Sequence, residues 1–342
     1  MSGEVIPISG HPSQMRDDRC TATTAAGHRC RNRAIDDGLC RVHLPAERRA
    51  PRQPRRAVPS LGAIPGREQL NRFIELVQTR LSGTYEVDEF GFDPELTEKV
   101  LLEIARPFFR DWWRIDWFGM ENVPAEGSAL LVSNHSGTVP FDAVMMKFGI
   151  LDRHPARRHV RLLAADLVFR MPFIGQLARK SGNTLAGEED AFRLLAGGEL
   201  LGVFPEGFKG VGKHFRDRYK LQRFGRGGFI EVALRAKAPI VPVSIVGAEE
   251  IYPLIAHARP LARMFGLPYF PITPFFPWLG PLGMVPLPSK WIIQFGEPIQ
   301  TDHYPDDAWQ DGLTVFELTD HVRDVIQQTL YKNLMARRSI FY

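Results

Sequence analysis

Short apolar runs alternate with amphipathic stretches through most of the chain. The apolar runs have the length of buried strands, and the stretches between them repeat apolar residues at helical spacing. This alternation is typical of an α/β fold, so we predict a mixed, mostly parallel sheet flanked by helices. The predicted strands are Ala129–Ser133, Val160–Ala164, Leu201–Phe204, Ile240–Val246 and Trp291–Phe295, and the predicted helices cover residues 143–149, 188–197 and 228–236.

Two amphipathic helices are predicted ahead of the sheet, within residues 67–113. The first has apolar residues at Leu70, Phe73, Ile74, Val77 and Leu81, and the second at Leu96, Val100, Ile104 and Phe108. Aromatic residues follow at Phe108, Phe109, Trp112 and Trp113. Aromatic side chains at this spacing belong either to a core or to a bilayer interface, and the pattern leaves both open.

The longest stretch without a charged residue runs from Met264 to Ser289 and is long enough to span a membrane. It contains seven prolines, which would break any spanning helix. We therefore expect no transmembrane segment. The stretch is expected to line a groove for an apolar ligand, to dip into a membrane surface or to pack as an irregular loop.

Basic residues are concentrated at the N-terminus. Residues 1–60 hold 11 arginines, no lysine and six acidic residues, while the whole chain of 342 residues has a formal charge of only +4. We expect residues 1–19 to form a disordered tail and the Pro/Arg-rich residues 44–66 to form a linker. Residues 114–342 then make up the main domain.

A Cys/His cluster occupies residues 20–43 and includes every cysteine of the chain. Cys20, Cys30, Cys40 and His43 are separated by nine, nine and two residues. Three thiolates and an imidazole are a tetrahedral ligand set for structural Zn²⁺, and the spacing resembles small Cys3His zinc modules. The alternative is three incidental cysteines in a tail. Three cysteines without a signal peptide indicate a reducing, cytoplasmic location.

A histidine and a carboxylate flank the loop that follows the strand Ala129–Ser133. The sequence there is N-H-S-G-T-V-P-F-D, which begins at Asn134 and places His135 and Asp142 at either end of a Gly/Pro-bearing loop. Acyl transfer to an alcohol needs a base for the hydroxyl proton and an acid that orients the base. His135 and Asp142 suit these two roles.

A second loop of the same kind follows the strand Leu201–Phe204. It reads F-P-E-G and carries Pro205, Glu206 and Gly207. In open α/β sheets, ligands bind at the carboxyl ends of the strands. We therefore expect Glu206 to lie close to His135.

The two loops, followed by P-I-V-P-V-S-I, resemble the lysophospholipid and glycerolipid acyltransferase superfamily over about residues 114–300. The resemblance implies a glycerolipid acyltransferase-like fold, His135 as catalytic base, Asp142 as its orienting acid and Glu206 as a residue that positions the acceptor. It also implies an acyl-CoA or acyl-ACP donor. The candidate substrate-binding residues are Gly137, Pro205, Glu206, Gly207, Lys209 and Arg226.

Two departures from the family pattern bear on the acceptor. The spacing is H-x6-D instead of H-x4-D, as in the monoacylglycerol/diacylglycerol acyltransferase-like branch. The segment Ser181 to Ala186 lacks the arginine that grips a glycerol phosphate in the family. A neutral acceptor is implied, or a phosphate clamp built from the basic run of Lys209, Lys213, Arg216, Arg218, Lys220, Arg223 and Arg226.

Competing functions fit the sequence less well. Residues 207–214 nearly spell a P-loop, but His214 stands where the Mg²⁺-binding hydroxyl belongs. A serine hydrolase would need a G-x-S-x-G elbow, which the chain lacks. The remaining alternative is a catalytically weak acyltransferase-like scaffold that is recruited through the zinc module.

The sequence therefore predicts an O-acyltransferase that moves a fatty acyl group from a thioester to a hydroxyl of a glycerolipid or related lipid alcohol. Its partners would be the acyl thioester, a lipid alcohol or lysolipid acceptor and the inner face of a membrane, held peripherally. The arginine-rich N-terminus fits anionic lipid or a protein better than nucleic acid.

Overall fold

A computed structural model of the chain describes residues 20–23, 27–30, 37–40, 43, 87–225 and 227–341. The chain divides into two units, residues 1–68 and residues 69–342. The predicted tail, linker and first amphipathic helix lie outside the described residues, as does the side chain of Arg226.

The larger unit is built on a seven-stranded sheet within the described residues. The strand order is β1-β9-β6-β2-β5-β3-β4, and neighbouring strands run parallel except for the antiparallel pair β6 and β9. The prediction of a mixed, mostly parallel sheet is confirmed. The strands are β1 Asp116–Phe118, β2 Ala129–Ser133, β3 Val160–Ala164, β4 Thr184–Leu185, β5 Leu200–Val203, β6 Ile240–Val246 and β9 Ile292–Phe295; Ala256–His257 (β7) and Pro271–Ile272 (β8) form a separate small pair.

Helices cover both faces of this sheet. A helical stretch over residues 94–112, α1, precedes the sheet, and the long C-terminal helix α9 follows it. The remaining helices between them are α2 Phe141–Arg153, α3 Asp166–Arg170, α4 Ile174–Lys180, α5 Glu188–Ala196, α6 Phe208–Val211, α7 Gly228–Arg235 and α8 Arg259–Met264, and α9 spans Gly312–Ala336.

Successive residues of β2 point to opposite faces of the sheet, and each face has its own core. Leu131 belongs to the core that includes residues of α1 and α2. Leu130 belongs to the core that includes residues of α5, α7 and α9. Because the strands are covered on both faces, they appear in the sequence as continuous apolar runs.

The central strands bring two loops to one edge. β2 pairs in parallel with β5, with Val132 opposite Val203. His135 and Glu206 each come three residues after these partners. Because parallel strands end at the same edge, the two loops that the sequence singled out become neighbours.

Helix α1 differs from the predicted helix in the face that it buries. Two stretches, Thr97–Leu101 and Phe108–Trp112, are π-helical. A π turn inserts an extra residue per turn and so shifts the helix phase. Ile104, which lies on the predicted apolar face of this helix, is 58% exposed, whereas Leu102 and Phe109 are fully buried.

The aromatic residues at the end of α1 belong mostly to the core. Phe109 and Trp113 are fully buried, and the Trp113 ring stacks on the Trp291 ring with centroids 4.6 Å apart. Trp112 is partly exposed and donates from Nε1 to the Pro286 carbonyl. Among the described helices, none combines the length and the apolar character needed to cross a bilayer.

Gly149 offers a test of how tightly α2 packs on the sheet. A Cβ at Gly149 would lie 1.8 Å from the ring of Trp117 on β1. We expect Gly149→Ala to lower the free energy of unfolding by about 3 kcal/mol or more, because the helix must move off the ring. Chemical denaturation would measure the loss. Gly312→Ala is the matched control, since a Cβ there meets nothing within 4 Å, and an equal loss in both variants would contradict this packing.

Candidate active site

Asn134 fixes the start of the first loop. Its Nδ2 donates to the Ile245 carbonyl at 3.0 Å, and its Oδ1 accepts from the Ile245 N–H at 2.8 Å. The side chain is fully buried. It thus ties the end of β2 to β6, so that the backbone of His135 starts from a fixed point.

His135 and Asp142 form a hydrogen-bonded pair. Nδ1 of His135 lies 2.8 Å from Oδ2 of Asp142, whose side chain is fully buried. The carboxylate also accepts from the N–H of Ser136 at 2.8 Å and from the N–H of Ala143 at 2.9 Å. Asp142 lies in the first turn of α2, where the helix dipole and the free N–H groups favour a negative charge.

This pairing leaves Nε2 as the ring nitrogen that can take a proton. With Nδ1–H donating to Asp142, the neutral imidazole keeps its basic lone pair on Nε2. The ring packs at 4.6 Å, centroid to centroid, on Phe204, and 13% of the side chain is exposed. The arrangement suits a general base whose orientation is fixed and which a substrate can reach.

The loop between His135 and Asp142 has strained backbone angles and is held by hydrogen bonds to residues from other parts of the chain. Gly137 and Thr138 have φ of 92° and 63°, a region that favours glycine. A Cβ on Gly137 would also lie 2.8 Å from the Ala248 carbonyl. Tyr269 donates from its hydroxyl to the Thr138 carbonyl at 2.5 Å, and the Thr138 hydroxyl donates to the Tyr252 carbonyl at 3.4 Å.

Tyr269 was not found by sequence reasoning. It lies more than a hundred residues after His135, inside the uncharged stretch, and only the fold brings it to the loop. Burial, and then the negative charge of Asp142, raise the pKa of Tyr269. The hydroxyl therefore remains protonated at neutral pH and able to donate.

Glu206 is buried beneath the loop. Its Oε1 accepts from the N–H of His135 at 2.9 Å, and its Oε2 accepts from the N–H of Gln222 at 2.6 Å. The side chain has no exposed surface. The prediction that Glu206 lies close to His135 is confirmed, and the contact is made through the His135 backbone.

Lys213, proposed above as part of a phosphate clamp, points inward instead. Its Nζ lies 3.3 Å from Glu206 and 3.2 Å from Glu249, and only 3% of the side chain is exposed. A buried lysine is stabilised by paired carboxylates, which explains why it leaves the basic surface. Burial raises the pKa of Glu249 to about 7, and the Lys213 charge opposes that shift.

The other predicted substrate-binding residues lie around this centre. Gly207 has a φ of 53° and precedes α6, on which Lys209 is exposed. A Cβ on Gly210 of the same helix would lie 2.9 Å from the His135 carbonyl, so α6 packs directly on the base. Pro205 lines a cavity of about 230 Å³ between one face of the sheet and the helices α5 and α7.

The segment Ser181 to Ala186 has a buried lysine next to it. Lys147 of α2 donates from Nζ to Oδ1 of Asn183 at 3.2 Å, and the lysine is 2% exposed. Burial, and then the positive charge of the nearby Arg161, lower the pKa of Lys147 to about 7. Lys147 thus lies inside the protein and does not replace an arginine at the surface of this segment.

The predicted zinc ligands converge in the smaller unit. The ligand atoms of Cys20, Cys30, Cys40 and His43 lie within 4.8 Å of one another. The Sγ atoms of Cys30 and Cys40 are 3.9 Å apart, and Nδ1 of His43 lies 3.5 Å from Cys20 Sγ and 3.4 Å from Cys40 Sγ. Tetrahedral Zn²⁺ bonds would give about 3.8 Å and about 3.6 Å for these separations.

Comparisons with known proteins agree with the motifs. A family model described as Acyltransferase matches residues 114–246. An uncharacterized protein of Mycobacterium tuberculosis is 58% identical over 266 residues, which cover 78% of this chain and 74% of the relative.

Two further comparisons gave weaker matches. A chicken protein described as a DGAT1/2-independent enzyme synthesizing storage lipids is 27% identical over 237 residues, covering 69% of this chain and 65% of the relative. The 1-acyl-sn-glycerophosphate acyltransferase of Thermotoga maritima aligns over 80% of this chain and 97% of its own, at 18% identity and a TM-score of 0.49.

The contacts of Glu206 lead to a test of its role. Glutamine keeps only one acceptor oxygen, so Glu206→Gln leaves an N–H or Lys213 without its partner. We expect a loss of about 3 kcal/mol in the free energy of unfolding and a lower kcat, with the KM for the acceptor little changed. Glu249→Gln, which also faces Lys213 but does not touch His135, should lower stability with a smaller effect on kcat. A raised acceptor KM at normal stability would show instead that Glu206 contacts the acceptor.

Proposed function

This chain belongs to the acyltransferase family, and from that premise we propose that it transfers a fatty acyl group from an acyl thioester to the hydroxyl of a glycerolipid or related lipid alcohol. The observation that carries the proposal is the pair of His135 and the buried Asp142, whose 2.8 Å hydrogen bond leaves Nε2 as a base at the edge of the sheet. The storage-lipid synthesis in the chicken relative's name supports a lipid acceptor.

In the proposed reaction, Nε2 of His135 takes the proton of the acceptor hydroxyl as its oxygen attacks the thioester carbonyl carbon. The new C–O bond forms, and the tetrahedral intermediate then collapses with cleavage of the C–S bond. The imidazolium returns the proton to the leaving thiolate, so the histidine ends as it began. Asp142 stabilises the imidazolium through the Nδ1 hydrogen bond and holds the ring in the required tautomer.

The tetrahedral intermediate carries a negative oxygen that needs hydrogen-bond donors. We assign this role to backbone N–H groups of the loop near Gly137. Its positive φ and its close approach to Ala248 support a backbone conformation that other residues cannot easily adopt. A fixed loop is what such stabilisation requires, because the donors must already point at the oxygen before the charge forms.

We assign Glu206 a positioning role in this reaction. Both of its oxygens accept backbone hydrogen bonds, from His135 and from Gln222, which supports a role in fixing the base. The acceptor would then meet His135 next to Pro205 and Gly207, with exposed Lys209 on the side of the donor's or acceptor's phosphates. Arg226 stays a candidate phosphate-binding residue from the sequence alone. The donor is a coenzyme A or acyl carrier protein thioester.

A neutral glyceride is the acceptor that we favour. The Ser181 to Ala186 segment has no arginine, and Lys147 beside it is buried. Lys213 is neutralised by two carboxylates. An acceptor with a phosphate would therefore rely on exposed residues of the basic run such as Lys209, Arg216 and Lys220. A neutral glyceride resides in a membrane. We therefore propose that the enzyme acts peripherally at a cytoplasmic membrane surface.

We further propose that Cys20, Cys30, Cys40 and His43 bind a structural Zn²⁺. The separations of the ligand atoms fit a tetrahedral ion at their centre. The N–H of Cys40 donates to Cys20 Sγ at 3.2 Å, as expected for a thiolate ligand. The ion would supply the folding energy that so small a unit lacks, and the chemistry of the main domain would not involve it.

Replacing the base tests the proposed reaction. Acyl transfer from long-chain acyl-CoA and acyl-ACP would be measured with radiolabel on monoacylglycerol, diacylglycerol, lysophospholipids and glycerol 3-phosphate. We expect His135→Ala to lower kcat by about a hundredfold to ten-thousandfold, because a general base is lost. His321→Ala, at an exposed position on α9, is the control. A product that forms equally well in both variants would refute the assignment, and no product from wild type with any acceptor would favour the scaffold alternative.

Metal content tests the zinc proposal. The purified chain should contain about one equivalent of zinc by atomic emission, and His43→Ala should lose most of it because a three-ligand set holds structural zinc poorly. His28→Ala is the matched control, since His28 lies in the same unit but outside the ligand cluster. Equal zinc content in both variants would exclude His43 as a ligand. Acyl transfer to a water-soluble acceptor should be unchanged in either case.

A further inference from the structure

We propose that residues 264–285, called the docking segment below, insert into the surface of a lipid bilayer next to the active site. Large apolar side chains of this segment face solvent instead of a core. The exposed fractions of these residues are 67% for Met264, 58% for Phe265, 70% for Trp278, 55% for Leu279, 74% for Leu282 and 60% for Met284. A groove that enclosed an acyl chain would bury these side chains. Large exposed apolar side chains concentrated in one segment indicate an interaction site.

The backbone of the docking segment is suited to an apolar environment. Its five prolines carry no N–H group. Many of the remaining N–H groups bond within the segment: Leu279 to the Phe275 carbonyl, Gly280 to Pro277, Leu282 to Leu279 and Val285 to Leu282. A chain segment can enter the hydrocarbon boundary only when its polar backbone groups are satisfied internally. A protein partner could supply the missing hydrogen bonds from its own polar groups, whereas hydrocarbon cannot.

Charge and aromatic residues at the border fit a lipid surface as well. The docking segment contains no charged residue, and it directly follows Arg259 and Arg263, both exposed and one turn apart on α8. Cations beside an apolar insertion are attracted by anionic headgroups. Trp112, partly exposed with its Nε1 bonded to the Pro286 carbonyl, is of the residue type enriched at membrane interfaces.

The docking segment is joined directly to the catalytic loop. Tyr269 of the segment donates to the Thr138 carbonyl. Near its other end, the Met284 carbonyl accepts from the hydroxyl of Tyr252, whose own carbonyl accepts from Thr138. Insertion of this segment would therefore place the loop of His135 at the bilayer surface. The benefit to catalysis rests on the proposed lipid acceptor, whereas the docking itself does not.

Vesicle flotation with the full chain tests the docking surface without any turnover. Vesicles of pure phosphatidylcholine at high salt isolate the apolar contribution, and vesicles of equal parts phosphatidylcholine and phosphatidylglycerol at low salt add the contribution of the arginines. We expect Trp278→Asp combined with Leu282→Asp to lower binding to phosphatidylcholine vesicles by roughly tenfold or more, because two apolar side chains that would enter the bilayer are lost. Arg259→Gln with Arg263→Gln should weaken binding only to the anionic vesicles.

The matched control is Leu313→Asp combined with Met335→Asp on α9, where the side chains are 65% and 89% exposed. This variant should bind as wild type does. Wild type that stays off both kinds of vesicle, or equal binding by the two aspartate variants, would overturn the proposal. Self-association of wild type in the absence of vesicles that is abolished by the Trp278 and Leu282 changes would assign the surface to a second copy instead. Transfer to a water-soluble acceptor separates these results from a failure of the proposed chemistry, since the docking variant should retain it.

Discussion

The hydrogen bond between the His135 N–H and the Glu206 carboxylate is the contact on which the rest of the site depends. It joins the ends of two adjacent parallel strands, and it places a buried charge under the backbone of the base. A buried carboxylate is tolerated only when its oxygens are satisfied and its charge is balanced. The Gln222 N–H and Lys213 meet these needs, and Lys213 in turn brings in Glu249. The segment that follows F-P-E-G therefore packs around the carboxylate of Glu206.

The sheet could be predicted from the sequence largely because its central strands are buried on both faces. Continuous apolar runs such as Ile240–Val246 have no helical periodicity and appear as strands. The pattern of apolar runs did not include the two edge strands, Asp116–Phe118 and Thr184–Leu185, because both are short and carry no continuous apolar run. The predicted apolar face of α1 differs from the buried face at Ile104 for another reason. The π turns of this helix rotate the residues that follow them, and a regular helical period does not predict such turns.

Local motifs identified the residues of the site whose roles depend on near neighbours in sequence. His135 and Glu206 lie just after strands, so the strand pattern and parallel pairing were enough to bring them together. Asp142 ends the short loop that begins at His135, so it stays close to the histidine. Asn134, Tyr269 and the inward turn of Lys213 were not predictable in this way, because each depends on a partner that is distant in sequence, namely Ile245, Thr138 and Glu249. Nothing in the sequence of the basic run distinguishes Lys213, which is buried and paired with two carboxylates, from exposed residues such as Lys209.

The longer H-x6-D spacing links the catalytic loop to the apolar surface. The additional residues must be accommodated between two ends that are fixed by the pair of His135 and Asp142, and the loop does so with positive φ at Gly137 and Thr138. A positive φ at threonine costs about 1–3 kcal/mol, so the surroundings must stabilise it. The hydroxyl of Tyr269 and the carbonyl of Tyr252 supply that stabilisation, and both residues are connected to the docking segment. The geometry of the base therefore depends on the same segment that presents apolar side chains to solvent, which gives one physical reason for keeping an exposed apolar surface beside a polar reaction centre.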